Sequence, residues 1–300
     1  MKRLDKTEIV FKILSYTILT IFALACLYPL IFVLSNSLSD RVQADSTNVV
    51  IVPLVTSKSG GSVLGLNFNS YKWIFADEQF WLSYCNSFFI TMYGTLASML
   101  VGICGAYALS KKRLLFGRGF NFMIVLTMWF NAGMIPTLNN FLLFGVDNIY
   151  WFIIALGFNA FNIILLRNYF SGIPTEIEEA ARIDGATEFQ LLTKIYVPMS
   201  KASIVTVAMF YAVARWNGYL WASMLLKASD YPLVVYIRIS IETTINYYLE
   251  ADSNWFIRNN YSRFGLRYAA LVMSIIPIIV IYPKLQKYFA AGVNVGGVKE

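Results

Sequence analysis

Six long apolar runs, near residues 12–34, 82–109, 120–141, 149–170, 202–226 and 268–288, contain no aspartate or glutamate. Each has about the 20 residues that a helix needs to cross the hydrocarbon core of a bilayer. The reading is an all-α, polytopic membrane protein with six transmembrane helices. Composition agrees, because 58% of the residues are hydrophobic and only 14% charged, against roughly 25% charged in soluble domains. The first run follows Lys2, Arg3 and Lys6 and holds "ALAC" at 23–26, which is open to reading as a cleavable leader. The run continues past Cys26 to Val33, and Leu24 suits cleavage poorly, so an uncleaved first span is expected.

Lysine and arginine then orient the chain, since cytoplasmic loops carry the excess of both. With the N-terminus inside, the inner segments hold Lys2, Arg3, Lys6 and Lys12, then "KKRLLFGRG" at 111–119, then Arg167 to Lys201, then the lysines after Tyr282. The outer segments hold fewer over a greater length. The expectation is a multi-pass protein of the cell membrane with both termini cytoplasmic. The chain divides into residues 1–81 (cytoplasmic tail, first span and outer loop), a core of five spans at 82–288 that includes the loop 171–200, and a cytoplasmic tail at 289–300. Two outer segments are long, 35–81 and 227–267. The second holds "YPLVVYIRISIETTINYYL", interrupted by Arg238 and Glu242. Residues 234–250 are therefore read as an interfacial or extracellular helix and not as a seventh span. The tail "YFAAGVNVGGVKE" is expected to be too glycine-rich for a helix.

Several function classes lose their parts list. There are no histidines, which removes the commonest general base and metal ligand. Cys26, Cys85 and Cys104 all fall in apolar segments, which argues against a disulfide framework or a thiolate metal site. No G-x-x-x-x-G-K-[ST] phosphate loop is present, so ATP hydrolysis would have to come from another polypeptide. The basic residues form no nucleic-acid-binding face. A membrane-embedded enzyme would need converging acids or metal ligands inside the spans. An ion-coupled secondary sugar transporter, the alternative transport class, usually relies on intramembrane carboxylates.

Between the fourth and fifth runs lies "EEAARIDGATEFQLLTKIYVP", residues 178–198. Thr175 with Glu178, and Thr187 with Gln190, have capping-box spacing, and Gly185 has the place of a left-handed helix cap. The spacing predicts helix from about Glu176 to Asp184, a glycine corner, then a second helix stopping near Pro198. Ile177, Ala180 and Ala181 share one face, and Leu191 pairs with Ile195. Two readings stand on spacing alone. One is an amphipathic connector on the inner membrane face; the other is a rigid peg seated in a cytoplasmic partner.

The same stretch resembles the cytoplasmic signature loop of binding-protein-dependent ABC transporter permeases, whose pattern is Glu-Ala-Ala, three residues, Gly, nine residues, Ile-x-Leu-Pro. Glu179, Ala180, Ala181, Gly185, Ile195 and Pro198 match it, with departures at Val197 and Leu192. "NAGMIPT" (131–137), "RNYFSGIPTEIEEAARIDGA" (167–186), "ARWNGYL" (214–220) and "YPKLQKYFAAGVNVGGVKE" (282–300) are similar to segments of the carbohydrate-uptake, maltose-type branch, nearest to permeases for lipoprotein-linked polysaccharide uptake in Gram-positive bacteria. The resemblance implies the type I importer permease fold and ATPase coupling through the loop 176–198, with Glu179, Ala180, Ala181, Asp184, Gly185, Ala186, Ile195 and Pro198 at that contact. It also implies partners: a second homologous permease subunit, two ATPase subunits, an extracytoplasmic sugar-binding lipoprotein and membrane lipid. ATP and Mg are implied in the ATPase subunits, with no cofactor on this chain, and the tail in contact with the ATPase.

Arg215 is the one charge near the middle of a span, and such residues mark function by default. It either bonds backbone carbonyls within the bundle or faces the pathway and selects a sugar, such as one bearing a uronate. Trp216, Asn217 and Tyr219 lie beside it, and aromatic faces with amides suit sugar rings. Asn131, Asn159 and Asn162 are further intramembrane amides, for lining a pathway or for bonding helix to helix.

Overall fold

The computed structural model describes residues 6–46, 49–57, 60–130, 132–252 and 254–297. It divides into two compact units, one made of the chain up to Glu78 with Ile237–Pro277, the other of Gln79–Tyr236 with the chain from Ile278 on.

The first unit begins with α1 (Lys6–Ser37), which keeps its helix through Pro29. A short α2 (Arg41–Asp45) follows, then a small antiparallel hairpin, β1 (Leu54–Thr56) and β2 (Ser62–Leu64), paired Leu54 to Leu64. This hairpin is the one departure from the all-α expectation among the described residues. Asp40 ties it down, since one carboxylate oxygen accepts the Gln43 N–H at the start of α2 and the other the Thr56 N–H at 2.7 Å. α3 (Asn69–Ala76) completes the segment.

The second unit opens one residue into α4 (Glu78–Ser110), whose buried face shows Gly94, Ser98, Gly102 and Ala106 at four-residue intervals. A stripe of small residues lets helix backbones approach closely where no hydrophobic force separates protein from lipid. Against it pack Leu166 of α8 (Ala160–Ser171) and Val207 and Tyr211 of α12 (Lys201–Trp216) in one buried cluster. Between α4 and α8 run α5 (Gly117–Trp129), α6 (Met134–Leu143) and α7 (Ile149–Ala155).

Among the described residues three helices are long and apolar enough to cross a membrane, within α1, α4 and α17 (Arg263–Gly297). The runs at 120–141 and 149–170 are not continuous helices as expected. α5 and α6 meet at a 117° bend, and α7 and α8 at 52°. Backbone chemistry explains both breaks: Gly133 sits at φ +89° just before α6, and Gly157 precedes Asn159, whose side chain caps α8 by accepting the Asn162 N–H. The run at 202–226 is also interrupted. α12 stops at Trp216, and the helix resumes only as α13 (Leu220–Leu225). At 16 residues α12 spans ~24 Å, short of the ~30 Å core. It is joined at an 86° bend to the helical stretch Glu188–Met199. Counting each bent pair as one span gives up to six among the described residues.

Residues 234–250 are helical, as expected: α14 (Leu233–Val235), a π turn at Tyr236–Ser240 and α15 (Ile241–Ala251), followed by α16 (Trp255–Arg258). In the first unit the Glu242 carboxylate pairs with Arg267 of α17 at 2.7 Å. The glycine-rich tail departs from expectation, because α17 continues as helix to Gly297. No proline follows Pro283, and glycine lowers helix stability by only about 1 kcal/mol per residue, which need not end a helix already 20 residues long.

Candidate functional site

The insert folds as a helical corner. α9 (Thr175–Ile183) starts after Pro174, whose fixed φ of −55° suits a helix entry, and no side chain caps it. Thr175 is thus already helical, and the expected Thr175–Glu178 capping box does not form. Glu178 is drawn instead to Lys111 and Tyr196 outside its helix and to Arg182 one turn along it. At the other end the Gly185 N–H bonds the Arg182 carbonyl and the Ala186 N–H the Ala181 carbonyl, a Schellman closure with Gly185 at φ +81°. The second capping box is present: the Thr187 hydroxyl accepts the Gln190 N–H and the Gln190 side chain accepts the Thr187 N–H. α10 (Glu188–Leu191) then passes into a π turn, Leu192–Tyr196, and α11 (Val197–Met199). The helix ends at Met199, near Pro198 as expected. Widening to the π turn carries hydrogen bonding as far as the Val197 N–H, which reaches the Leu192 carbonyl, and Pro198 follows with no N–H to lose.

A network of ions and phenols bolts this corner to the end of α4 and the loop after it. Glu178 accepts from Lys111 Nζ at 2.8 Å, Tyr196 Oη at 2.6 Å and Arg182 Nε and Nη2 at 3.0 and 2.5 Å. Glu188 accepts from Tyr107 Oη at 2.7 Å and pairs with Arg182 Nη1 at 2.7 Å and with Arg113. Lys111 is sandwiched between the Tyr107 and Tyr196 rings, 4.1 and 3.9 Å from their centroids. Its side chain is 9% exposed and that of Glu178 is 16%. Burial pushes the Glu178 carboxyl up, but the hydrogen bonds from Lys111, Tyr196 and Arg182 outweigh it and hold it at about 2. Burial also pulls the Lys111 ammonium below its ordinary value, opposed by its bond to Glu178. Glu178 is the better satisfied partner, with three donor groups to one acceptor for the lysine.

Beneath the network, Leu191, Leu192, Tyr196 and Phe170 are buried, and Ala181, Ala186 and Ile195 pack onto them. The residues that the resemblance places at a contact therefore separate. Ala181, Ala186 and Ile195 hold the corner to the bundle, while Glu179, Ala180, Asp184, Gly185 and Pro198 lie on its outside. Ile177 and Ala180 turn out and Ala181 turns in, so the three do not share one exposed face. The two most exposed large apolar side chains of the corner are Ile183 at 86% and Phe189 at 73% exposure. Of the network, the spacing of Glu178 and Arg182 was readable as an i,i+4 pair; Tyr107, Lys111 and Glu188 carried no local signal.

The candidates in the fifth run gather at a cleft of about 400 Å³ walled by Phe152, Leu156, Arg215, Asn217, Tyr219 and Trp221, among others. Arg215 is 7% exposed. Its Nη2 donates to Ser98 Oγ at 3.1 Å and to the Ile153 carbonyl at 3.0 Å, and Nη1 has no partner among the described residues. The guanidinium lies flat on Gly94 of α4, where an added Cβ would come within 3.0 Å of Cζ and Nη1. Trp216 stands apart, edge-on to Tyr84 and Phe88 at 6.2 Å. Asn217 caps the end of α12 and returns its amide to the Val213 carbonyl. Asn162 is buried within α8, Asn159 is exposed at its cap, and Asn131 lies outside the described residues.

Apolar helices of membrane-crossing length, with a polar helical corner bolted to the end of α4, define the class: a polytopic membrane protein. Residues 1–295 match the family described as binding-protein-dependent transport system inner membrane component, and the chain belongs to that family. It is a multi-pass permease of a binding-protein-dependent importer. It is 33% identical to the polygalacturonan/rhamnogalacturonan transport system permease protein YtcP of Bacillus subtilis (strain 168), over 96% of this chain and 98% of that one. To the protein LplC of the same strain it is 31% identical, over 90% and 88% of the two chains. Among solved structures it resembles a chain of a bacterial ABC transporter involved in the import of the acidic polysaccharide alginate. That match has a TM-score of 0.83 and 39% identity, and covers 96% of this chain and 100% of the other.

Proposed function

We propose that this permease moves acidic oligosaccharides, or fragments of an acidic polysaccharide, into the cell, driven by ATP hydrolysis in separate subunits that seat on the insert 176–198. Its partners on this reading are a second homologous permease subunit, two ATPase subunits that hold ATP and Mg, and an extracytoplasmic sugar-binding lipoprotein. Both termini and the insert face the cytoplasm, and the chain itself binds no cofactor. The observation that carries the coupling role is the corner's construction. Ile183 and Phe189 are held out from a rigid Schellman turn, while Glu178 and Glu188 fasten its back to α4. A push on such an element passes to the spans without being absorbed by a flexible loop, and closure of paired ATPases would swing the bundle between its two facing states.

Arg215 supports the acidic substrate. It is a buried cation in the wall of a cleft that also offers an amide and three aromatic rings, and its Nη1, closed off from solvent, has no partner among the described residues. Galacturonan and alginate, named for the similar proteins above, are uronate polymers. A carboxylate meeting Nη1 would complete the arginine's hydrogen bonding and match its charge. The coupling contact is tested by replacing Ile183 and Phe189 together with glutamate and purifying the complex. The ATPase subunits should be lost from the complex while the two permeases stay paired. Retention of the ATPases at wild-type stoichiometry would overturn the assigned contact.

A further inference from the structure

Beside the insert, within the same unit, lies a second cleft, of about 990 Å³, between the α4–α5 loop, the end of α8 and the back of α9. Six cations line it: Lys111, Lys112, Arg113, Arg118, Arg167 and Arg182. Three of these are engaged, Lys111 and Arg182 by Glu178, and Arg113 by Glu188. No ion pair among the described residues engages Lys112, Arg118 or Arg167, and Arg167 makes only neutral contacts, to the Leu109 carbonyl and the Asn168 amide oxygen. Glu179 is the one acid on the wall outside the network, so the cleft carries an excess of positive charge. The start of α5 adds to it. The helix has 13 residues, opens at Gly117–Arg118 on the cleft wall, and no side chain caps its first turn. An uncapped helix start with basic residues about it is a site for an oxyanion.

We infer that this cleft binds a phosphate group at the inner membrane surface, with the phosphate of an anionic phospholipid headgroup as its occupant. Two observations favour a lipid over a soluble phosphate. Leu115 and Phe116, between Lys112 and Arg118, are exposed, and Phe116 holds a left-handed backbone at φ +56° that turns the chain into α5. From there α5 presents Phe120, Phe122 and Met123 on its surface, an apolar track along which acyl chains can lie while the headgroup stays in the cleft. Basic pockets at the cytoplasmic ends of spans bind anionic headgroups on this principle. The site shares Lys111 and Arg182 with the network that fixes the insert, so an occupied cleft would stiffen the corner's seat. The leaflet assignment rests on the orientation proposed above; the binding chemistry does not.

The test uses the full chain, alone and assembled with its partner subunits, in nanodiscs of phosphatidylcholine with or without phosphatidylglycerol. Bound lipid is counted by native mass spectrometry. Wild type should retain phosphatidylglycerol over phosphatidylcholine, and the Lys112→Gln/Arg118→Gln double variant should hold it about 25-fold more weakly, about fivefold per charge removed. Lys112→Arg should bind as wild type, which separates loss of charge from loss of fold. Glycerol 1-phosphate and inorganic phosphate serve as soluble competitors. Competition by either at millimolar concentration supports the phosphate site and assigns it a soluble source. Equal retention of the two lipids, no change in the double variant, or exclusion of lipid on assembly with the ATPase subunits would overturn the inference. Since the readout is bound lipid and not uptake, its failure leaves the coupling assignment standing, and the reverse also holds.

Discussion

Replacing Glu178 with glutamine is the sharpest probe of how the insert is held. Lys111 and Tyr196 both donate to Oε2 and Arg182 to Oε1. A glutamine can keep its oxygen toward the lysine and phenol only by turning its NH₂ toward the arginine, donor against donor. Lys111 then remains buried beside a neutral group. Breaking a fully buried ion pair costs about 3–5 kcal/mol. With both side chains slightly exposed, and Arg182 still paired to Glu188, about 2–3 kcal/mol is the expected loss. That energy opens the corner locally and not the whole bundle, so it is read by hydrogen exchange of the α9 and α10 amides, whose protection should fall about 30- to 160-fold. Glu188→Gln, at a side chain half exposed, should cost about 1 kcal/mol or less. Adding Lys111→Met to Glu178→Gln should recover at least about 1 kcal/mol relative to the sum of the single variants. A less than threefold change in protection, or strict additivity in the double variant, would refute the bolted-corner argument.

Two further outcomes follow from the same geometry. Glu178 is held at about 2 against an ordinary 4.5, so the stability it contributes is fully present above about pH 4.5 and drains away as pH falls toward 2. Protection of the insert should be flat from pH 7 to 5 and fall below that, whereas protection already lost at pH 5 would be contrary. On α4, Gly94→Ala should destabilise the protein in detergent by about 1–3 kcal/mol, because its Cβ would force the Arg215 guanidinium off Ser98 and Ile153. Gly102→Ala, whose Cβ meets nothing nearer than 3.7 Å, should cost far less, and equal melting losses would refute the close packing of Arg215 on α4.

The local features were the legible ones. Apolarity accumulates along the chain, so six spans could be counted without knowing how any of them bends. The Gly185 corner and the Thr187–Gln190 cap involve neighbours three residues apart, and both stand in the structure as read. Glu178 was misassigned because its capping-box spacing to Thr175 is local, whereas Lys111 and Tyr196 lie 67 and 18 residues away. The breaks before Met134, Ala160 and Leu220 were missed for a related reason. Mean apolarity does not register a glycine at positive φ, or an asparagine whose side chain replaces a turn of backbone bonding. Gly218 shows the same physics, with the Arg215 and Ala214 carbonyls 3.2 and 3.3 Å from where its Cβ would stand. Arg215 stood out as a lone charge in an apolar run, but its seat on Gly94 and Ser98 depends on a helix more than a hundred residues earlier.

Coupling through the corner is tested most directly by Gly185→Pro in the reconstituted importer, measuring labelled-oligosaccharide uptake and ATP hydrolysis in the same vesicles. Proline fixes φ near −65°, against +81° at this position, and removes the N–H that bonds the Arg182 carbonyl. The chain should insert at wild-type levels and ATP should still be hydrolysed, with uptake per ATP falling at least about tenfold. Uptake per ATP unchanged from wild type, or failure of the chain to insert at all, would contradict a coupling role for the corner.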